Sequence, residues 1–168
     1  MTSLIADELT TVLGTPLDAA EELAAANDWM FERDGDELTA AVGGHYCEYQ
    51  LRFFWHPHEQ VLQVACVFEG RVASLRRQAV YEALGLMNER QWLGHFELFP
   101  EEGLVMFRYG ALADAASGGP GAEQIASIAE AALSACERFY PVFQYVVWGG
   151  KTPHEAIEAA MLETVGEA

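Results

Sequence analysis

The chain has 168 residues, a mass of 18.5 kDa, a formal net charge of -17 and a pI near 4.4. A surface this acidic repels nucleic-acid phosphates and anionic membranes at long range, so proteins or small molecules are the expected partners, with no nucleic acid and no membrane. Half of the residues are hydrophobic and 11% are aromatic, enough for a core without disulfide staples, and one domain is expected over residues 16–168 behind a leader at 1–15.

Residues 1–14 show only weak periodicity. Thr15-Pro16-Leu17-Asp18 then reads as a helix start, with a capping residue, proline at the first helical position and an acid soon after. The helix should run from about Pro16 to Asn27, with Leu17, Ala20, Leu23 and Ala24 near one stripe. Trp29–Arg33 and Glu37–Val42, joined by Asp34-Gly35-Asp36, form a predicted hairpin. From His45 to Trp55 the residues alternate: Cys47, Tyr49, Leu51, Phe53 and Trp55 point one way, Glu48, Gln50 and Arg52 the other. His56-Pro57-His58 turns the chain into an apolar return strand, Val61–Phe68, with Leu62, Val64, Cys66 and Phe68 inward. Ser74 is the expected cap of a helix from Leu75 to Glu89. A second hairpin follows, Gly94–Phe99 and Leu104–Tyr109. The Ala/Gly/Ser stretch Asp114–Gly121 is the one clear linker. A long helix from Ala122 to Trp148, with a kink at Pro141, precedes the terminal helix. The only long strand connection carries a helix and the others suit hairpins. This predicts an α+β domain: an antiparallel sheet of about six strands with helices on one face.

Asp7 and Glu8, with no early basic residue, do not suit a signal peptide. The dense apolar stretch Phe139–Trp148 is broken by Gln144 and is too short to span a bilayer. Cys47, Cys66 and Cys136 are odd in number and widely spaced, which suits free thiols in a reducing compartment. A cytoplasmic location is expected.

Three groups of residues invite a chemical reading. Gly150-Lys151-Thr152 looks like the end of a phosphate-binding loop, but Tyr145 occupies the position of the required first glycine and bulky Val146, Val147 and Trp148 fill the loop. Helix punctuation accounts for every residue instead: Gly149 and Gly150 stop one helix, Thr152 caps the next, Pro153 takes its first position and Glu155 completes a capping box. The histidines and cysteines at 45, 47, 56, 58 and 66 cannot gather on one ion, because hairpin pairing holds the turn histidines roughly 25–30 Å from Cys47 and Cys66; no metal and no cofactor are expected. His95 is a conceivable general base, with no nucleophile near it in sequence. No catalytic residue is assigned, and a hydrolase ranks last among the candidate functions.

Two clusters suit binding. Arg71, Arg76 and Arg77 form the one basic group of an acidic chain and oppose the dipole of the helix they begin. Carboxylates of the same chain are the expected compensation, ahead of an anionic ligand or partner. The aromatic run is wider than one helical stripe: Tyr140, Phe143 and Val147 share one face, Phe139, Val142 and Val146 the next, with Trp148 at the end. Burial in the monomer and a subunit interface both account for it.

Three long segments carry a family resemblance: PLDAAEELAAANDWMFER at Pro16–Arg33, MNERQWLGHFELFPEEGLVMFRYGAL at Met87–Leu112, and ERFYPVFQYVVWGGKTPHEAIEAAMLETVGEA at Glu137–Ala168. With the strands between, the chain from Pro16 to Ala168 resembles the YbjN-domain family of bacterial proteins, in its alphaproteobacterial form. The resemblance implies a fold similar to the chaperones of type III secretion systems, which are small, acidic, dimeric α+β proteins that bind other polypeptides. It also carries the label of a sensory transduction regulator, and it transfers no catalytic residues. The expected function is therefore a non-enzymatic protein-interaction module, chaperone-like or regulatory, that forms a homodimer and binds a protein partner through Phe139, Tyr140, Phe143, Val147 and Trp148. The alternative is a regulatory domain that binds a small ligand in a pocket between sheet and helices.

Overall fold

The computed structural model describes residues 14–113 and 119–166. Most of the expected leader and linker lies outside these residues. Helix α1, Pro16–Ala26, leads into the hairpin β1 (Met30–Asp34) and β2 (Glu37–Gly43), then β3 (Glu48–His56) and β4 (Val61–Val67). A 3-10 turn at Ser74–Arg76 opens helix α2 (Arg77–Asn88). The hairpin β5 (His95–Phe99) and β6 (Leu104–Leu112) follows. Helix α3 (Ala122–Phe143) runs into a π turn at Gln144–Trp148, and α4 (Pro153–Gly166) comes last.

The six strands form one antiparallel sheet in the order β1-β2-β3-β4-β6-β5. The expected α+β architecture, an antiparallel sheet with helices on one face, is what the chain adopts. Period-two alternation aims one set of side chains at the helices: Leu38, Ala40 and Val42 from β2, Tyr49, Leu51, Phe53 and Trp55 from β3, Leu62, Val64 and Cys66 from β4. Helix α3 lies over β4 and β6, α1 over β2 and β3, and α2 over β5.

An aromatic cluster fills the space between sheet and helices. Phe68 meets Phe143 edge-on at 4.9 Å and Tyr140 at 5.7 Å, while Phe96 meets Phe107 at 5.4 Å and Phe139 at 5.6 Å. These edge-to-face contacts set positive ring edges against negative faces and supplement simple burial. Two clefts at the margin of this layer hold only about 20 Å³ and about 10 Å³, room for one water at most and not for a ligand. One turn is shaped by a close approach: a Cβ on Gly44 would run into the Tyr49 ring and the Glu137 carboxylate, and that carboxylate accepts a hydrogen bond from the His45 backbone N–H at 2.8 Å.

Several local expectations change. Ser74 does not cap α2: it starts the 3-10 turn, makes no side-chain cap bond, and leaves α2 to begin at Arg77. Leu75 consequently projects into solvent at 96% exposure, outside the apolar face built from Val80, Ala83, Leu84 and Met87. The third strand begins at Glu48 because residues 44–47 turn, so Cys47 precedes it and is half-buried. The long helix does not stay α-helical to Trp148; its last five residues widen into the π turn.

Candidate functional site

The π turn and the loop after β4 build one surface patch. Gly149 ends the turn with a hydrogen bond from its N–H to the Gln144 carbonyl at 3.0 Å. A Cβ at Gly149 would lie 2.9 Å from the Tyr145 carbonyl oxygen, so the tight exit requires glycine. Gly150 follows at φ +66°, in the left-handed region that glycine enters freely. Thr152 N–H then donates to Glu155 Oε2 at 2.9 Å, and Glu155 N–H donates to Thr152 Oγ1 at 3.3 Å. This is the reciprocal capping box, and it uses the threonine that a phosphate loop would need. Lys151 rests over the Tyr145 ring at 5.6 Å. The glycines, lysine and threonine are helix punctuation.

Widening the last helical turn rotates the aromatic run. Phe139, Tyr140 and Phe143 all lie in the core, and Val147 is partly covered, whereas Trp148 is 62% exposed. Of the five residues first grouped as a partner surface, only Val147 and Trp148 are accessible to one. The Trp148 indole covers Gly70, where an added Cβ would come within 3.8 Å of the ring. Glu69, Gly70, Arg71 and Val72 form the opposite wall of this shallow cleft. Helix α2 packs against the π turn, and Arg77 lies against Gly103 beside Val72, a residue of the cleft wall.

None of these three arginines is ion-paired among the described residues. The carboxylate pairs there belong to Arg33, Arg90 and Arg108. The expected intramolecular compensation of Arg71, Arg76 and Arg77 is therefore not found among them. Arg71 and Arg76 are exposed; Arg77 is half-buried against the β5–β6 turn near Gly103, with its Nε buried and unbonded. Gly70 and Val72, which complete the cleft, carried no signal in the sequence.

The other candidates separate in space. His95 lies on the open sheet face, its Nε2 3.1 Å from Glu97 Oε2, and the same oxygen accepts from Arg108 at 3.0 Å. That carboxylate is shared by two basic side chains, and among the described residues no Ser, Thr or Cys hydrogen-bonds to it. Burial pushes the thiols of Cys47 and Cys136 up from their ordinary values, opposite to the shift that activates a nucleophilic cysteine. Among the described residues no three His, Cys, Asp or Glu side chains are grouped as metal ligands. No helix there is long and apolar enough to cross a membrane.

The YbjN family profile, described as "Putative bacterial sensory transduction regulator", matches residues 16–145. The chain belongs to the YbjN family. A solved structure with the same fold is titled "Crystal structure of YbjN, a putative transcription regulator from E. coli"; it is 8% identical, with a TM-score of 0.51 over 74% of this chain and 90% of that one. Among curated protein sequences none matches this chain. The family match stops at Tyr145, so Val147 and Trp148 of this YbjN chain lie beyond it, while Arg71, Arg76 and Arg77 lie within it.

Proposed function

We propose that this YbjN chain is a non-enzymatic regulatory module that binds another polypeptide, and a second copy of itself, through the patch formed by Val147, Trp148, Arg71, Arg76 and Arg77. The observation that carries this reading is an exposed indole that shares its cleft with Arg71, one of three neighbouring arginines that no described carboxylate of the chain pairs. In a chain with 26 acidic and nine basic residues, a basic group left unpaired is available to an acidic partner. Tryptophan and arginine are the side chains most enriched at the energetic centres of interfaces. The acidic remainder of a second copy offers carboxylates to these arginines at contact, against the long-range repulsion between two chains of net charge -17.

Association of the full chain is to be followed by light scattering over a wide concentration range, with Trp148→Ala and an Arg71→Gln/Arg76→Gln double variant as comparisons. A central anchor contributes 2 kcal/mol or more, so the tryptophan variant should weaken association by over tenfold while keeping a native circular dichroism spectrum. The arginine variant should weaken it most at low salt, where exposed charges are least screened. A wild-type protein that stays monomeric at high concentration, or variants that associate like the wild type, would overturn the reading.

A further inference from the structure

The face of the sheet that carries no helices has a second, chemically distinct feature. Along one row across the strands the register is Arg52, Ala65, Arg108. The two arginines stand two strands apart, about 10 Å between Cα atoms, with only a methyl group between them. In the next row Phe54 faces Gln63, and both line the same space. Short residues among long ones leave a hollow of about 230 Å³, the space of roughly eight waters. Its floor, Ala65 and Val67, is only 3% and 4% exposed although no helix covers it; Phe54 and Met106 stand beside it.

The two guanidiniums are not equivalent. Arg108 is neutralised by Glu97 at 3.0 Å. Among the described residues Arg52 has no carboxylate within ion-pair distance and its buried Nε has no hydrogen-bond partner; its Nη2 donates to Gln50 Oε1 at 2.8 Å. Glu37, the diagonal neighbour on β2, accepts from Thr39 Oγ1 at 3.5 Å and does not pair with Arg52. A buried guanidinium N–H left unbonded is costly, and a bound acceptor would remove that cost.

We propose that this hollow binds a small organic acid: one carboxylate taken by Arg52, with an apolar body lying on Ala65 and Val67 between Phe54 and Met106. Glu102, on the β5–β6 turn, also lines the hollow, so a single carboxylate is taken at the Arg52 end, where the unpaired guanidinium stands. A polyanion is excluded by the field of a chain of net charge -17. The site lies on the face opposite the helices and does not depend on the polypeptide-binding patch.

Octanoate is titrated into the full-length protein labelled with ¹³C at the methionine methyl groups, with octanol as the uncharged probe of the same body. The Met106 resonance, assigned with Met106→Leu, should shift saturably with octanoate and at least tenfold more weakly with octanol. Arg52→Met should abolish that preference while retaining the native circular dichroism spectrum. Should Arg52→Met unfold, Ala65→Ser serves instead; it keeps the hollow open and adds a hydroxyl to its floor, and should weaken octanoate and octanol equally. No saturable shift at Met106, octanol binding as tightly as octanoate, or a preference that survives the loss of Arg52 would overturn the proposal.

Discussion

Replacing Phe143 by alanine separates a core role from an interface role. The side chain is 3% exposed and lies at the centre of the aromatic layer, 4.9 Å from the Phe68 ring and 6.4 Å from the Phe96 ring. Truncating a buried phenylalanine costs about 3–5 kcal/mol, part for lost transfer energy and part for the cavity that packed neighbours cannot fill. Taking the middle of that range, about 4 kcal/mol, and roughly 2–4 °C per kcal/mol for a chain of this length, the midpoint of thermal unfolding should fall by roughly 8–16 °C. Circular dichroism melting of wild type, Phe143→Ala and Trp148→Ala side by side is the assay. Trp148 is mostly exposed, so its variant should melt within a few degrees of the wild type. A fall of only a few degrees for Phe143→Ala, together with weakened self-association, would show that this ring serves a partner and that the packing argument is wrong.

Thr152→Ala removes the hydroxyl that accepts the Glu155 N–H and should lower stability by about 1 kcal/mol in chemical denaturation. The same helix start should bind no nucleotide; micromolar ATP or GTP affinity in calorimetry, abolished by Lys151→Ala, would restore the phosphate-loop reading. Arg33 holds Asp18 at 2.7 Å and Glu21 at 2.9 Å. Hydrogen bonding from Arg33, then from the Thr15 backbone N–H, holds the Asp18 carboxyl below its ordinary range. A depressed folded-state pKa means that this stabilisation is complete above the unfolded value near 4 and is lost as the pH falls through the folded one. Arg33→Met should therefore be less stable than wild type at pH 7 by at most about 1 kcal/mol, because the pair is largely solvated, and the difference should shrink below about pH 4. A constant difference from pH 7 to pH 2 would refute the assignment.

Local rules sufficed for whatever depends on neighbours along the chain. Alternation in Tyr49, Leu51, Phe53 and Trp55 determined which face of β3 is buried, because successive strand side chains must point to opposite faces. The two glycines and the Thr152–Glu155 box determined where one helix ends and the next begins, because each satisfies backbone groups within a few residues. Ser74 shows the limit of such rules: a serine before an apolar run suits a cap, yet the 3-10 turn consumed that position. On β4 the same alternation placed Leu62, Val64, Cys66 and Phe68 inward, but it gave no sign that Ala65 and Val67 on the other side are buried as well. The sequence named Arg71, Arg76, Arg77, Val147 and Trp148 as binding candidates, but not which of the grouped aromatics reach solvent. Whether Phe143 or Trp148 meets solvent depends on the extra residue in the π turn and on helix α2 packed beside it. The hollow beside Arg52 exists because strands far apart in sequence set Ala65 between the longer side chains of Arg52 and Arg108. Periodicity records which face of an element is apolar, but only the packed structure decides how much of that face its neighbours cover and which charges find a partner.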